Sequence, residues 1–374
     1  MDKKNPARSC LTMAGGPDII LLLVTLILVT SGTVMIYSSS SAIAAARFGD
    51  GYFFIKKQVM FVVLGLGVMI VLSRIPYYYL RKVAYFSILF SVALLSLLLI
   101  RGLGTRVGGA TRWLDLGVFS FQVTELVKVS FVLFLAHFLT KKEEHIKEFN
   151  KGFLPPLIIT TIIIVLILLQ PDFGTAMIMA MLLIFVLYLA GSRILHLAGL
   201  AALLVPAGFM LVMHKGYRLD RFLSFLDPWK DPTNSGFQII QSFLSFGSGG
   251  VAGVGLGNSM QKLFYLPEPH TDFILSVIGE ESGFIGITII ILLFVIFVLR
   301  GFMISYRTPD LFGTLLASGL TILIALGAFI NMAAVMGLIP TKGLVLPFLS
   351  YGGTSLIMTL ATVGVLLNIS SHRE

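Results

Sequence analysis

The sequence predicts an all-α polytopic membrane protein: ten transmembrane helices, with a long extracytoplasmic loop between helices 7 and 8. Three observations lead there. Hydrophobic residues make up 57% of the chain and charged residues only 12%, about half the charge of a soluble domain. Mean hydropathy is +0.96. The apolar residues gather in runs of about 17 or more, each enough to cross roughly 30 Å of hydrocarbon as a helix. Lipid offers backbone amides no partner, which leaves helices or a closed barrel. The runs are continuous rather than alternating, and that selects helices.

The spans fall near 17–38, 54–73, 80–100, 121–140, 153–170, 172–190, 193–213, 273–299, 309–336 and 345–369. The first run, from Ile19, is too long for a cleavable signal peptide and has no A-x-A exit, so it is expected to remain as helix 1. An even number of spans puts both termini on one side. Lys3, Lys4, Arg8, Arg74, Arg81, Lys82, Lys141, Lys142, Lys147, Lys151, Arg193, Arg300, Arg307 and Arg373 then share a face, against about half as many basic residues in the opposite short loops. That face is expected to be cytoplasmic, in a bacterial inner membrane. Residues 1–374 read as a single transmembrane domain without a soluble domain or tandem repeat.

The net charge of +9 does not indicate nucleic acid, because Lys and Arg scatter through many loops instead of forming one basic face. A lone Cys10 offers neither a disulfide framework nor a thiolate metal site. No cofactor is evident, and dependence on a divalent cation is left open.

The topology puts three segments outside: 101–120, the long loop at about 214–271, and the turn at 337–345. A connector as long as the second rarely lacks structure of its own. Phe237, Ile240, Phe243 and Leu244 recur there at helical spacing, which predicts an amphipathic helix lying in the interface. The glycines of 247–257 are a weak signal for a phosphate nest, with no Walker-type lysine following.

Ionisable groups inside spans are costly and call for a partner or a function. Glu125 and Lys128 lie three residues apart on one helix face, with Gln122 one turn earlier. They read either as a structural ion pair or as the polar wall of a substrate cavity. Upstream, Arg112-Trp113 offers a guanidinium suited to phosphate and an indole that serves equally well as a membrane anchor. Asp172, in Gln170-Pro171-Asp172-Phe173-Gly174-Thr175, reads as a helix cap or as an organiser of the same cavity. After Pro340-Thr341-Lys342-Gly343, the run Pro347-Phe348-Leu349-Ser350-Tyr351-Gly352-Gly353 interrupts the last span. Unwound backbone at membrane depth is tolerated only inside protein or beside a wet cavity. Asp272 closes the long loop after Pro267-Glu268-Pro269-His270-Thr271. It reads as the N-cap of helix 8 or as a general base.

At these motifs the chain resembles the SEDS family (shape, elongation, division and sporulation), whose polytopic members polymerise peptidoglycan from lipid II. Arg112-Trp113-Leu114, Glu125-x-x-Lys128, Pro171–Thr175, Asp227-Pro228-Trp229, Pro267–Asp272 running on to Gly279-Glu280-Glu281, and Pro347–Ser355 carry the likeness over nearly the whole chain. Tyr217-Arg218-x-x-Arg221-Phe222 and Pro340–Leu344 are similar to the division-type branch more than to the elongation-type branch, and a sporulation-type relative shares them. The family's usual Gln-Pro-Ser-Glu is Gln122-Val123-Thr124-Glu125 here, which leaves Glu125 and Lys128 in register.

The resemblance implies a glycosyltransferase in which Asp272 is the catalytic acid–base residue, with Arg112, Lys128, Arg218 and Arg221 facing a polyprenyl pyrophosphate. It also implies Trp113, Glu125, Asp172, Glu268, His270, Lys342, Ser350 and Tyr351 as substrate-binding candidates. The implied partners are lipid II, a class B penicillin-binding protein and other division proteins at the septum. A lipid II flippase and a non-catalytic division scaffold are the competing readings. An acid at the outer edge, rather than at the midplane, argues against the first.

Overall fold

The computed structural model describes residues 15–100, 104–107, 110–115, 117, 120–213, 216–234, 236–260 and 269–372. Lys3, Lys4, Arg8, Cys10, Glu268 and Arg373, and the side chain of Arg218, lie outside what is described.

Helix α1 (Ile19–Phe48) starts where the Asp18 carboxylate accepts from Leu21 N at 2.9 Å, and stops at Gly49, whose φ of 70° needs no Cβ. It runs past the expected end at 38 because Ser38, Ser39 and Ser40 satisfy their hydroxyls inside the protein, the first on Glu281 at 2.6 Å and the others on Ile36 O. Helices α2 (Phe53–Arg74) and α3 (Leu80–Leu97) follow.

The expected outer loop then carries a small antiparallel sheet, β1 (Gly104–Val107), β2 (Ala110–Asp115) and β3 (Ser120–Gln122), in register Trp113↔Gln122 and Leu114↔Phe121. Gln122 is therefore a strand residue, and α4 (Val123–Lys141) begins just after it. Helices α5 (Leu154–Leu169), α6 (Phe173–Leu189) and α7 (Ile194–Met213) complete the first part.

Two short helices stand in the long loop, α8 (Gly216–Leu226) and α9 (Phe237–Gly249). The latter is the amphipathic helix its periodicity predicts. Ile239, Ile240, Ser242, Ser245 and Gly249 pack inward, while Phe243 and Leu244 stay exposed. Small residues win the contact because α9 lies directly on α10. A Cβ on Gly249 would fall 2.0 Å from Gly279 O.

Helix α10 (Ile274–Tyr306) is broken at Gly283, where φ is 64° and ψ −164°. The loop after α9 mends the break. Phe284 N and Ile285 N donate to Gly250 O and Val251 O, while Val254 N and Gly255 N donate to Glu280 O and Glu281 O. Four backbone groups flanking the kink are thus paired inside the protein, as hydrocarbon requires.

Helices α11 (Leu311–Val335, capped by Asp310) and α12 (Gly353–Ser371) are the most buried and form the core with α4. The last span starts at Gly353, not near 345, because Pro347, Phe348 at φ 66° and the Gly352-Gly353 pair hold 340–352 unwound. Nine of the described helices are long and apolar enough to cross a membrane, and α6 is a further apolar helix of 17 residues. The protein is a multi-pass membrane protein. On the face carrying the basic residues, Arg300 pairs with Asp18, Arg81 and the Tyr77 hydroxyl pair with Asp310, and Asn368 bridges Ser73 O and Tyr77 N at 2.8 Å each.

Candidate active site

Two cavities meet at Arg112 and Gly343. The inner one, about 690 Å³ including its open mouth, lies between α4, α11 and α12. Glu125 and Lys128 face it as an ion pair of 2.8 Å, one helical turn apart on α4, with the carboxylate buried. Ser355, Thr359 and Thr362 of α12 add hydroxyls, and Gln122 enters from β3. The two readings of the pair therefore merge, since it is an ion pair and also the wall of a polar cavity.

The outer cavity, about 880 Å³, is lined by Arg112, Asp172, Arg221 and Lys342 together with Phe173, Phe222 and Pro340. Asp172 caps α6 through Thr175 N at 3.0 Å and the Thr175 hydroxyl at 2.7 Å, and it pairs with Arg112 Nε at 3.2 Å. Cap and cavity organiser are the same residue. Lys342 Nζ lies 3.0 Å from Met177 Sδ and 5.1 Å from the centre of the Phe173 ring. Burial pulls its amine down to about 8, against the opposing pull of Asp172. Three cations thus converge from a strand, an outer helix and the unwound turn, with one carboxylate among them.

Asp272 lies behind that turn. A Cβ on Gly343 would sit 3.2 Å from Asp272 Oδ2, so the carboxylate abuts the residue that lines both cavities. Its backbone is held by the 340–352 segment and by α11. The Ser350 hydroxyl donates to Thr271 O at 2.7 Å, Tyr351 N to His270 O at 2.8 Å, and Asn331 Nδ2 to Asp272 O at 2.9 Å. The capping position of α10 belongs to Phe273, which makes no side-chain cap. Helix-terminus and general-base readings of Asp272 both keep a carboxylate on a backbone that the unwound segment and α11 fix.

Ser350 and Tyr351 hold the Asp272 segment instead of lining either cavity. His270 is buried between Phe54 and Tyr351, with ring centroids at 4.4 and 5.5 Å. Burial and the nearby charge of Arg47 bring its imidazole down to about 4, so it is neutral at physiological pH. Trp113 sits half-buried on β2, outside both cavities. Glu280 accepts from the Ser259 hydroxyl and from Met260 N at 3.0 Å, which ties it to the loop end. Among the described residues no three His, Cys, Asp or Glu converge as a metal group would.

Sequence reasoning missed Asn331, which bonds Asp272 O and Leu344 O together. A lone amide within the apolar α11 was the available signal. Asn331→Leu is expected to lower stability by about 1–3 kcal/mol, the cost of orphaning buried carbonyls, and to reduce activity with it. Thermal unfolding and turnover of the same preparation check this. Unchanged turnover would show that the segment does not depend on that tether.

Residues 18–374 match the cell cycle protein family of FtsW, RodA and SpoVE. The chain belongs to this SEDS family. It is 47% identical over 326 residues to a probable peptidoglycan glycosyltransferase FtsW of Geobacter sulfurreducens, covering 87% of each. It is 44% identical over 327 residues to stage V sporulation protein E of Bacillus subtilis, covering 87% of this chain and 89% of that one. The fold matches a chain from a peptidoglycan synthase complex described for coordination of polymerization and crosslinking. That match has a TM-score of 0.78 at 31% identity over 95% and 97% of the two chains. Rod shape determining protein RodA of Thermus thermophilus matches with a TM-score of 0.69 at 26% identity over 96% and 97%. This SEDS protein is of the FtsW type.

Proposed function

We propose that this protein polymerises lipid II into glycan strands during cell division, and that Asp272 is the general base. The observation that carries the reading is the Asp272 carboxylate set against Gly343, at the junction of two cavities lined by cations. In the step proposed, Asp272 takes the proton of the acceptor 4-hydroxyl as that oxygen attacks the anomeric carbon of a second lipid-linked disaccharide. The anomeric C–O bond breaks, polyprenyl pyrophosphate leaves with the electron pair, and the centre inverts. Arg112, Arg221 and Lys342 face the charge developing on the leaving group from the outer cavity, and Lys128 faces it from the inner one. Arg218 and Glu268 belong to the same proposal by motif. His270, Ser350 and Tyr351 fix the base.

The reading includes a class B penicillin-binding protein as partner, other division proteins, cytoplasmic termini and a place at the septum of the inner membrane. The partner is supported by the structural relative from a peptidoglycan synthase complex that coordinates polymerization and crosslinking. Purified protein with its cognate transpeptidase, supplied with lipid II, is expected to yield glycan chains. Translocation of lipid II without polymer would favour the flippase, and neither activity would favour the scaffold.

Lys342 makes this reading pH-sensitive. Its amine is charged below about 8 and neutral above, so kcat/KM is expected to fall as pH rises through 8. Lys342→Arg should flatten that limb. Stability moves the other way. Folding lowers the pKa, so the unfolded chain binds more protons between about 8 and the ordinary lysine value, and stability rises with pH across that window. A fall in activity that tracked loss of fold, or survived Lys342→Arg, would remove Lys342 from the site.

A further inference from the structure

Resting on the glycosyltransferase reading, we propose that the outer hairpin between α1 and α2 is a platform for the newly made glycan strand, which it holds through its sugars and peptide carboxylates. The hairpin carries two stacked aromatic pairs, Tyr37–Tyr52 at 5.6 Å and 12°, and Phe48–Phe53 at 4.0 Å and 13°. Phe48 is 52% exposed and Tyr52 56%, so half of each ring is open to whatever crosses the surface. Arg47, Lys56 and Lys57 stand exposed around them. Asp50 is bonded to Lys56 at 2.8 Å. Among the described residues neither Arg47 nor Lys57 forms an ion pair, and the Lys57 ammonium lies 4.4 Å above the Phe53 ring. Two cations are left in excess, beside flat apolar faces.

Position selects the occupant. Phe54, next along the hairpin, packs against both His270 and Tyr351, at 4.4 and 5.3 Å between centroids. The platform is therefore continuous with the segment that carries Asp272. A strand leaving that carboxylate meets these rings within its first sugars. Aromatic rings accept the C–H faces of pyranose rings, and cations accept the carboxylates that every repeat brings on its peptide. Weak contacts repeated along one strand add as a multivalent hold. A phospholipid headgroup would use the cations but has no use for paired rings linked to the catalytic segment.

The test uses full-length Asp272→Asn protein in nanodiscs of zwitterionic lipid, so that no polymer is made and binding is read alone. The probe is a lipid-free glycan strand of defined length with its stem peptides. Arg47→Gln/Lys57→Gln is expected to weaken its binding by about tenfold. Stripping the peptides should do the same, and Arg47→Lys/Lys57→Arg should retain binding. In the otherwise wild-type enzyme with its transpeptidase, the Gln pair should shorten product strands several-fold while the rate of the first glycosidic bond stays within about twofold. Unchanged strand affinity would overturn the proposal, as would an effect seen only when anionic phospholipid is added, which marks a headgroup site. Absence of polymer from wild type would instead count against the glycosyltransferase reading, because strand binding by the Asp272→Asn protein does not depend on it.

Discussion

Asp272→Asn is expected to abolish detectable glycan polymer, a loss of about 10²–10⁴-fold in rate, which is what a positioned base contributes. The substitution is nearly isosteric and removes only the ability to accept a proton. It keeps the shape of the side chain, and the segment is held by backbone contacts. Thr271 O, His270 O and Asp272 O accept from Ser350, Tyr351 and Asn331. The melting temperature and association with the transpeptidase should therefore match wild type. Product chains separated by length, with lipid II as substrate, give the readout. Undiminished polymerisation by the variant would end the assignment.

Arg112→Gln should have the second largest effect, on stability and turnover together. Asp172 is almost wholly buried, and Arg112 is its charged partner at 3.2 Å. Removing one member of a buried pair costs about 3–5 kcal/mol, and the partial exposure of Arg112 puts the loss at the lower end, about 3 kcal/mol. Turnover should drop by roughly 100-fold as a cation shared by both cavities disappears. Adding Asp172→Asn separates the two effects. Asn still caps α6 and removes the carboxylate that had lost Arg112, so stability should return while activity does not. Recovery of activity in the double variant would reduce Arg112 to a structural counter-ion.

Most of the membrane architecture was legible because hydrocarbon imposes a simple rule on sequence, and the span ends from α2 to α7 fall within a few residues of the apolar runs. The misses have physical reasons. The Ser-rich continuation of α1 reads as polar until Glu281 is known to accept Ser38. The turn at 101–120 gave no strand signal strong enough to predict three short strands, whose register puts Gln122 opposite Trp113. At the site, charges out of place in lipid singled out Glu125, Lys128 and Asp172, each of which lines one of the two cavities. Their convergence on Gly343 was not readable, because it depends on a turn whose residues meet α6 and α10 only in three dimensions. The inward face of α9 was not readable for a similar reason. Periodicity finds the largest side chains, while close helix contact selects the smallest.

The mended break in α10 has a consequence for biogenesis. A helix entering the bilayer with an open turn at Gly283 carries unpaired amides and carbonyls into hydrocarbon, each costing several kcal/mol. The chain that pairs them, Gly250–Gly255, precedes α10 and must fold back onto it from the outer side. Pairing of this span's backbone is therefore complete only when that loop has docked. A chain threaded but not yet docked still carries those groups open, which ties the last step of folding to the arrival of the loop.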